Sequence, residues 1–302
     1  MGDRAPIAFV LLSRDEEINL PHALGSVVDW AEQVFVVDSG STDRTRETTE
    51  SLGATFVPHA WEGYARQKNW ALDTLPIRTP WVFILDADES ITRELRDELT
   101  AIATADNCRE NGFYVNRRII ILGKWIRHCG YYPSWNIRFF RRGKARYAQR
   151  SVHEHMIVDG SVGYLDNAMM HEDRRGLSHF IVKHNWYSTL EAQEAIRLEQ
   201  SEDYSQKVRL IGGGSVERRR WLKRYVWPWL PLRWLARFFS MYILKLGFMD
   251  GWVGFHFCVL LAIYEYQIFL KTYELRMEMQ RRLKQSRQAR KQLGDGGGGK
   301  QV

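Results

Sequence analysis

The feature that most constrains the fold is an alternation of short apolar runs with helix-like stretches in the first third of the chain. Residues 7–12, 34–37 and 81–85 form continuous apolar runs, typical of strands buried on both faces of a sheet. Helix-like stretches separate or follow them at about 17–30, 43–52 and 64–75. This alternation predicts an α/β fold, a parallel sheet with helices on both faces whose ligands bind at the carboxyl ends of the strands.

Past residue 105 the pattern changes to strands without long helices between them. These strands are expected at 112–121, 136–141 and 162–165, before a helix at about 176–200. We therefore predict one domain over residues 1–210, with a nucleotide-binding half at about 1–105 and an acceptor half at about 106–210. A glycine linker then leads to a basic, aromatic helical region at 215–292 and a flexible tail at 293–302.

The positive charge is concentrated in two short segments. The 302-residue chain has a formal net charge of +7, whereas residues 217–224 alone sum to +4 and residues 276–292 to +6. The remaining body is slightly acidic, which argues against nucleic acid as a partner and favours an anionic membrane surface beside the apolar C-terminal stretch. The cysteines lack zinc or disulfide spacing, and no signal peptide is visible, so we expect the catalytic part to face the cytosol.

Polar side chains follow two of the predicted strands. Asp38 ends the second run and is followed by a turn of small residues, a geometry suited to holding a nucleotide. The alternative is that Asp38 and Ser39 only cap the next helix. The third run ends in Asp86, Asp88 and Glu89, whose mutual repulsion calls for a cation. Carboxylates at this spacing are suited to Mg²⁺ or Mn²⁺, which also bind phosphate oxygens.

Three segments together resemble family 2 glycosyltransferases. These are residues 13–19, 36–43 and 85–88, in the order and spacing of the family's signatures. The family has the GT-A fold, a Rossmann-like fold that binds nucleotide-diphospho-sugars. Within it, residues 63–69, 138–141 and 152–154 resemble the subgroup around the lipopolysaccharide core β-1,4-glucosyltransferases. Asp15 departs from the family, which often has Asn there.

The resemblance implies site residues for the donor and the metal. Glu16 and Asp38 would bind the nucleoside, while Asp86 and Asp88 would bind the donor ribose, the metal and the diphosphate. Three further residues would lie near the donor, namely Gln67, Lys68 and Asn69. Lys68 would offset phosphate charge, and its alternative is a solvated helix face.

Catalysis with inversion requires a base that takes the acceptor proton. The resemblance points to Glu154, although the family usually has an acidic pair where this chain has His153 and Glu154. The alternative for Glu154 is a structural salt bridge with Arg150.

Two further residues are candidates beside the donor. His171 follows a strand-like run and would give the metal a nitrogen ligand, or it would be an ordinary, partly buried histidine. Arg138 and Arg141 are three positions apart on a strand and therefore point to different faces. We expect Arg138 to contact the diphosphate.

The C-terminal region predicts membrane attachment. Residues 221–239 mix tryptophan and other aromatics with lysine and arginine, a composition suited to the headgroup layer. Residues 252–270 are long enough to span a bilayer but include His256, Glu265 and Gln267, so we favour an in-plane or re-entrant arrangement. The alternative is a soluble helical subdomain or an oligomer interface. A homo-oligomer is compatible with the sequence.

These expectations combine into one function. The chain would be an inverting hexosyltransferase that moves a sugar from a UDP-glucose-like donor to a glycolipid or glycan acceptor at the cytoplasmic face of the inner membrane, as a peripheral or monotopic protein. A nucleotidyltransferase is less consistent, because the segment after the first strand is acidic rather than glycine-rich. A phosphatase with an aspartyl nucleophile usually has that nucleophile near the N-terminus and a small hydroxyl residue shortly after it, a pattern that residues 86–92 fit poorly. A catalytically silent membrane scaffold of the same fold remains an alternative.

Overall fold

The computed structural model describes residues 4–148, 156–200 and 232–295. The chain divides into two compact units, Met1–Leu177 and Ser178–Val302. The first is built on strands and the second on helices. The domain boundary predicted at residues 210–215 lies outside the described residues and stays a prediction.

The first unit contains a nine-stranded mixed sheet and a separate two-stranded sheet. The strands are β1 Ala5–Ser13, β2 Ala31–Asp38, β3 Thr55–Pro58, β4 Trp81–Asp86, β5 Glu89–Ser90, β6 Gly112–Ile121, β7 Lys124–Trp125, β8 Trp135–Arg141, β9 Ala145–Tyr147, β10 Met156–Val158 and β11 Val162–His171. The helices are α1 Leu20–Gly25, α2 Thr45–Ser51, α3 Tyr64–Thr74 and α4 Arg93–Thr104. A longer helix, α5 Gly176–Gln200, follows β11 and lies almost wholly in the second unit.

The large sheet has the order β3-β2-β1-β4-β8-β6-β11-β5, and β7 pairs with β6. Strands β3, β2, β1 and β4 are parallel to one another, which confirms the α/β prediction for the first part of the chain. Strand β8 runs antiparallel to both β4 and β6, whereas β6 and β11 are parallel. The sheet is therefore mixed, and β1, β2 and β4 end at the same edge.

Helices cover both faces of the sheet, because alternate side chains of the central strands point to opposite sides. Phe9 and Leu11 of β1 are buried in one apolar cluster with Leu24 of α1 and Leu95 of α4. Ala8 and Val10 of the same strand are buried in another, with residues of α3. This double burial explains why the apolar runs are continuous.

The structure differs from the sequence pattern in the lengths of some elements. The first helix is shorter than the predicted 17–30, because α1 ends at Gly25 and Ser26 turns back to donate its hydroxyl proton to the carbonyl of Ala23. Strand β11 extends to His171 rather than stopping at 165. It pairs with β6 along one side and with β5 at its end, where the register aligns His171 with Glu89.

The second unit consists of helices. After α5, the described chain resumes with α6 Arg233–Phe239, a π-helical turn Ser240–Leu244, a 3-10 turn Gly247–Asp250 and the long helix α7 Gly251–Asp295. Within the second unit, the helical segment Gly247–Ser286 is long enough and apolar enough, by length and composition, to cross a membrane.

Candidate donor and metal site

Two loops at the carboxyl ends of β1 and β2 are joined by hydrogen bonds. The amides of Asp15, Glu16 and Glu17 donate to the side chains of Ser41, Thr45 and Asp43 at 2.7, 2.8 and 3.0 Å. In return, the amide of Thr42 donates to the Asp15 carboxylate at 2.8 Å. Residues 13–19 and 38–45 therefore form one rigid double loop at the rim of the sheet.

Asp38 organises the second of these loops. Its buried carboxylate accepts hydrogen bonds from the amides of Gly40 and Ser41 at 2.9 and 2.8 Å. It also accepts from the hydroxyls of Ser13, at 3.0 Å, and Ser41. The structure thus shows Asp38 holding the turn rather than capping α2, which begins beyond it at Thr45. Its contact with a nucleoside remains a prediction.

Glu16 is held by residues that follow β11. Arg175 donates to one Glu16 oxygen at 2.8 Å, and Asn19 donates to the other at 2.8 Å. Arg175 also donates to both oxygens of Asp173 at 2.8 Å. Burial raises the pKa of Glu16 to about 7, although Arg175 opposes this rise. The loop after β1 is therefore tied to the segment 172–175.

Asp86 ends β4 beside two cations. Arg138 donates to both of its oxygens, with Nη1 to Oδ1 at 3.2 Å, and the Lys68 ammonium lies 3.8 Å from Oδ1. Burial opposes ionisation of Asp86, but Arg138 and then Lys68 outweigh it and hold the pKa of this carboxyl well below its usual range. The side chain keeps 34% of its surface exposed, so the ion pairs do not close Asp86 off from a ligand.

Glu89 is the most deeply buried carboxylate of the acidic turn. It accepts from Arg138 Nη2 at 3.0 Å and from Arg117 Nη1 at 3.5 Å, and its other oxygen accepts from the amide of Asp86 at 3.0 Å. Burial alone would raise the pKa of Glu89, but the opposing effects, led by the attraction of the neighbouring Arg138, together outweigh it. The pKa therefore lies below its usual range. Glu89 therefore supports the turn rather than facing solvent.

Asp88 and His171 lie close together beside Glu89. His171 Nδ1 is 3.6 Å from Asp88 Oδ1 and 3.7 Å from Glu89 Oε1. This nitrogen is buried, and no described residue makes a hydrogen bond with it. Burial lowers the pKa of His171, but Asp88 and Glu89 raise it more, so the net shift is upward.

These residues fit a divalent metal only in part. Within residues 4–148, 156–200 and 232–295, no three His, Cys, Asp or Glu side chains converge on one point. Mg²⁺ and Mn²⁺, however, are usually bound by one or two carboxylates together with substrate phosphates, so a complete protein cage is not needed. The position of the buried Nδ1 of His171, 3.6 Å from Asp88 Oδ1, is consistent with a third protein ligand.

The α3 residues predicted near the donor have different surroundings. Lys68 is buried, so the alternative of a solvated helix face is wrong. Gln67 is buried and bonds to His59 and, at 3.3 Å, to the hydroxyl of Ser39 in the double loop. The side-chain amide of Asn69 instead makes two 2.9 Å hydrogen bonds with the main chain of Tyr147. Asn69 thus supports β9.

Arg138 and Arg141 point to different faces, as their spacing predicts. Arg138 reaches the acidic turn, whereas Arg141 donates to the carbonyls of Cys108 and Glu110 at 2.8 and 3.3 Å. Glu154, His153 and Arg150 lie outside the described residues. The assignment of Glu154 as the base therefore stays a prediction.

Comparison with known proteins decides the family. The model of "Glycosyl transferase family 2" matches residues 9–166, more than half of the chain, and covers both the double loop and the acidic turn. The chain belongs to glycosyl transferase family 2. For this family 2 glycosyltransferase, the mixed α/β sheet is the GT-A fold expected from the sequence resemblance.

Relatives carry names consistent with this family. The glycosyltransferase is 33% identical over 208 residues to the "Lipopolysaccharide core biosynthesis glycosyltransferase LpsC" of Rhizobium meliloti, an alignment covering 65% of this chain and 74% of LpsC. An "Uncharacterized glycosyltransferase" of Rickettsia bellii is 27% identical, with 63% and 68% covered. Among solved structures, S. aureus TarS aligns with a TM-score of 0.40 at 11% identity, covering 90% of this chain and 91% of that one.

Two features of the site are not apparent from the signature motifs alone. Glu89 contributes a buried carboxylate, although its position directly after Asp88 was visible. Arg175 lies in the charge-dense run Glu172–Arg175 directly after His171, and this run is the sequence signal that would have found it. Its partner Glu16 is far away in the sequence, so only the fold reveals the contact.

Proposed function

We propose that this glycosyltransferase is an inverting, metal-dependent hexosyltransferase. It would move a hexose from a UDP-glucose-like donor to a hydroxyl of a membrane glycolipid or lipopolysaccharide-type acceptor at the cytoplasmic face of the inner membrane. The name of its relative LpsC supports a lipopolysaccharide-type acceptor. Nucleic acid has no part in this function, and the oligomeric state is left open.

One arrangement carries the proposal. The double loop and the acidic turn occupy neighbouring strand ends of one sheet, and the cations Lys68 of α3 and Arg138 of β8 lie beside Asp86 of that turn. In open α/β sheets this edge is where ligands bind. Neighbouring positive and negative groups are suited to a ligand with a diphosphate and a metal, because each sign of charge on the protein has a counterpart on the ligand.

The donor would be held mainly by protein groups. Glu16 and Asp38 would contact the nucleoside, with Gln67 bracing the loop around it. Asp86 and Asp88 would hold Mg²⁺ or Mn²⁺, with His171 as the third ligand; such a metal offsets negative charge on a departing diphosphate. Lys68 and Arg138 would supply positive charge directly.

The acceptor side depends on a base. Glu154 would take the proton from the acceptor hydroxyl as the anomeric carbon is attacked from the face opposite the leaving group. Its carboxylate would therefore matter for transfer and not for donor binding. Asp88 would matter for both, because it belongs to the donor and metal site.

The test is a panel of nucleotide sugars with Mn²⁺ or Mg²⁺, measuring binding by calorimetry and turnover by release of the nucleoside diphosphate. Asp88→Ala should lose metal-dependent donor binding, whereas Glu154→Ala should keep binding and lose transfer. Asp97→Ala, which alters an exposed carboxylate on α4, is the matched control and should behave as the wild type.

Two results would contradict the proposal. Equal turnover in the wild type, Asp88→Ala and Glu154→Ala would remove both residue assignments. Binding of a lipid-linked glycan without hydrolysis or transfer of any nucleotide sugar would instead indicate a catalytically silent scaffold.

A further inference from the structure

The helical unit ends in a tip whose large side chains are exposed and apolar. Leu244 is 79% exposed and Trp252 is 69% exposed, which is far above the usual value for such side chains. We call the following set the apolar tip: Phe239, Ile243, Leu244, Leu246, Phe248, Met249, Trp252 and Phe255. Lys245 is the one charged side chain at its surface among the described residues 239–255.

The tip is a tightly packed turn. A Cβ at Gly254 would lie 2.3 Å from the carbonyl oxygen of Gly247, so the two segments approach to a distance that only glycine permits. Met241, Phe257 and Cys258 are buried on its inner side. Because the inner apolar residues are already packed, the exposed ones are not a misplaced core.

The exposed apolar surface continues along one face of α7. Exposed side chains recur at steps of three or four residues, with one step of eight residues from Phe255 to Ile263, and these steps place them on one stripe of a helix. They are Trp252, Phe255, Ile263, Tyr266, Leu270, Tyr273 and Met277. Beyond this stripe the helix carries the exposed cations Arg281, Arg282 and Lys284. The surface thus combines an apolar stripe, aromatic side chains and a basic end.

Polar contacts further along α7 limit how deeply this helix can enter a membrane. Glu265 forms a buried ion pair with Arg233 of α6 at 3.1 Å. Next, Lys271 donates to Ser188 and Thr189 of α5 at 2.8 Å. Helix α5 also carries exposed charges such as Arg197, so it would bring them into the hydrocarbon if α7 crossed there.

The part of α7 that precedes its ion pair at Glu265 is too short to span a bilayer. From Gly251 to Glu265 the helix rises about 21 Å at 1.5 Å per residue, whereas the hydrocarbon core is about 30 Å thick. A crossing would therefore bury the Arg233–Glu265 pair and the polar contacts of Lys271 in lipid.

We propose that the apolar tip and the stripe of α7 seat the protein in one leaflet of an anionic membrane without crossing it. The tip would lie at the boundary between headgroups and acyl chains. Lys245 would lie among the phosphates of the leaflet that the protein first contacts, and the basic end of α7 would lie over anionic lipid. This inference rests on the membrane location in the proposed function and specifies how the membrane is bound.

The first test measures binding of the full-length protein to vesicles of phosphatidylcholine with phosphatidylglycerol, by flotation. The double variant Leu244→Glu/Met249→Glu should lower the bound fraction about tenfold or more, because two embedded apolar side chains become charged. The control Ile157→Glu alters an equally exposed apolar side chain of the first unit and should bind as the wild type. Unchanged flotation of the double variant would overturn the proposal.

The second test distinguishes seating in one leaflet from crossing. The variant Lys245→Cys, made with Cys108→Ser because Cys108 is a free and only partly buried thiol, is labelled with a fluorophore that dithionite reduces. The labelled protein is added to the outside of sealed vesicles. We expect dithionite to quench the fluorophore without detergent, because position 245 stays in the outer leaflet, on the side to which the protein was added. Quenching only after detergent would show a crossing and refute the inference.

Two further measurements separate the causes of failure. Turnover of the nucleotide sugar without vesicles should be the same in the double variant and the wild type, so loss of flotation with intact turnover leaves the enzymatic proposal standing. If instead the wild type forms a concentration-dependent dimer that the double variant loses, and neither floats, the apolar tip binds a second copy and the membrane inference is wrong.

Discussion

Arg138 is the group on which the acidic turn depends, and Arg138→Met tests this directly. Methionine keeps much of the side-chain volume and removes the cation shared by Asp86 and Glu89. Leaving a buried carboxylate without its partner costs about 3–5 kcal/mol. Glu89 is fully buried but keeps Arg117 Nη1 at 3.5 Å. Asp86 keeps Lys68 at 3.8 Å and 34% of its side chain exposed, where water screens it. We therefore expect the free energy of unfolding near neutral pH to fall by about 3 kcal/mol, the lower end of this range.

The loss should depend on pH in a defined direction. In the wild type, Arg138 holds the pKa of Glu89 below its usual range, so the carboxylate stabilises the fold above its unfolded pKa. Without Arg138, Glu89 keeps only the weaker attraction of Arg117 and His171 against its burial. We therefore expect its pKa to rise above the unfolded value, so that protonation at lower pH relieves the destabilisation. The difference between variant and wild type should shrink between about pH 7.5 and about pH 5.

The assay is guanidinium unfolding of the full chain in mild detergent with a chelator, followed by tryptophan fluorescence at both pH values. Arg141→Met is the matched control on the same strand, because among the described residues Arg141 binds two carbonyls and no carboxylate. Its cost, about 1–3 kcal/mol, should be the same at both pH values. The reasoning fails if Arg138→Met costs nothing, or if its cost does not change with pH.

The remaining predictions concern the donor side. Donor affinity should weaken as the pH falls below about 7, because protonation of Glu16 removes an acceptor, and calorimetry on Glu16→Gln should show a flat profile in the same range. Arg175→Gln should raise KM for the donor about tenfold with a smaller change in kcat, because Arg175 holds Glu16. Arg175→Lys should recover part of the lost donor affinity. Effects of equal size on KM and kcat would argue against a positioning role. Lys68→Met should weaken donor binding about tenfold, whereas a loss only of thermal stability would make Lys68 structural. Asn69→Leu should cost about 2–3 kcal/mol of stability by thermal melting and leave donor affinity intact, because its amide bonds only to the main chain of Tyr147; lost affinity in the folded variant would return Asn69 to the donor site.

Much of the site could be predicted because its residues follow strands. The run ending at Leu85 is apolar on both faces and must be buried, so Asp86 had to lie at a strand end. Parallel neighbours then bring Ser13 and Asp38 into register at the same edge. The same reasoning separates Arg138 from Arg141, since strand periodicity is a local property.

Partners that are distant in the sequence could not be predicted in this way. His171 lies beside the acidic turn because β11 extends farther than its apolar run and pairs with β5. Arg175 meets Glu16 only because the segment after β11 passes the loop after β1. No local period encodes these contacts, since they depend on how the second half of the sheet is assembled.

By itself, the sequence determined the alternation of elements, the strand ends that carry Asp38 and Asp86, and the family to which the chain belongs. Only the tertiary structure decided which polar groups meet: Arg138 bridges Asp86 and Glu89, and Asn69 bonds to the main chain of Tyr147. The physical reason is that the placement of apolar side chains follows a local period, whereas the pairing of charges depends on distances between segments that are set by folding.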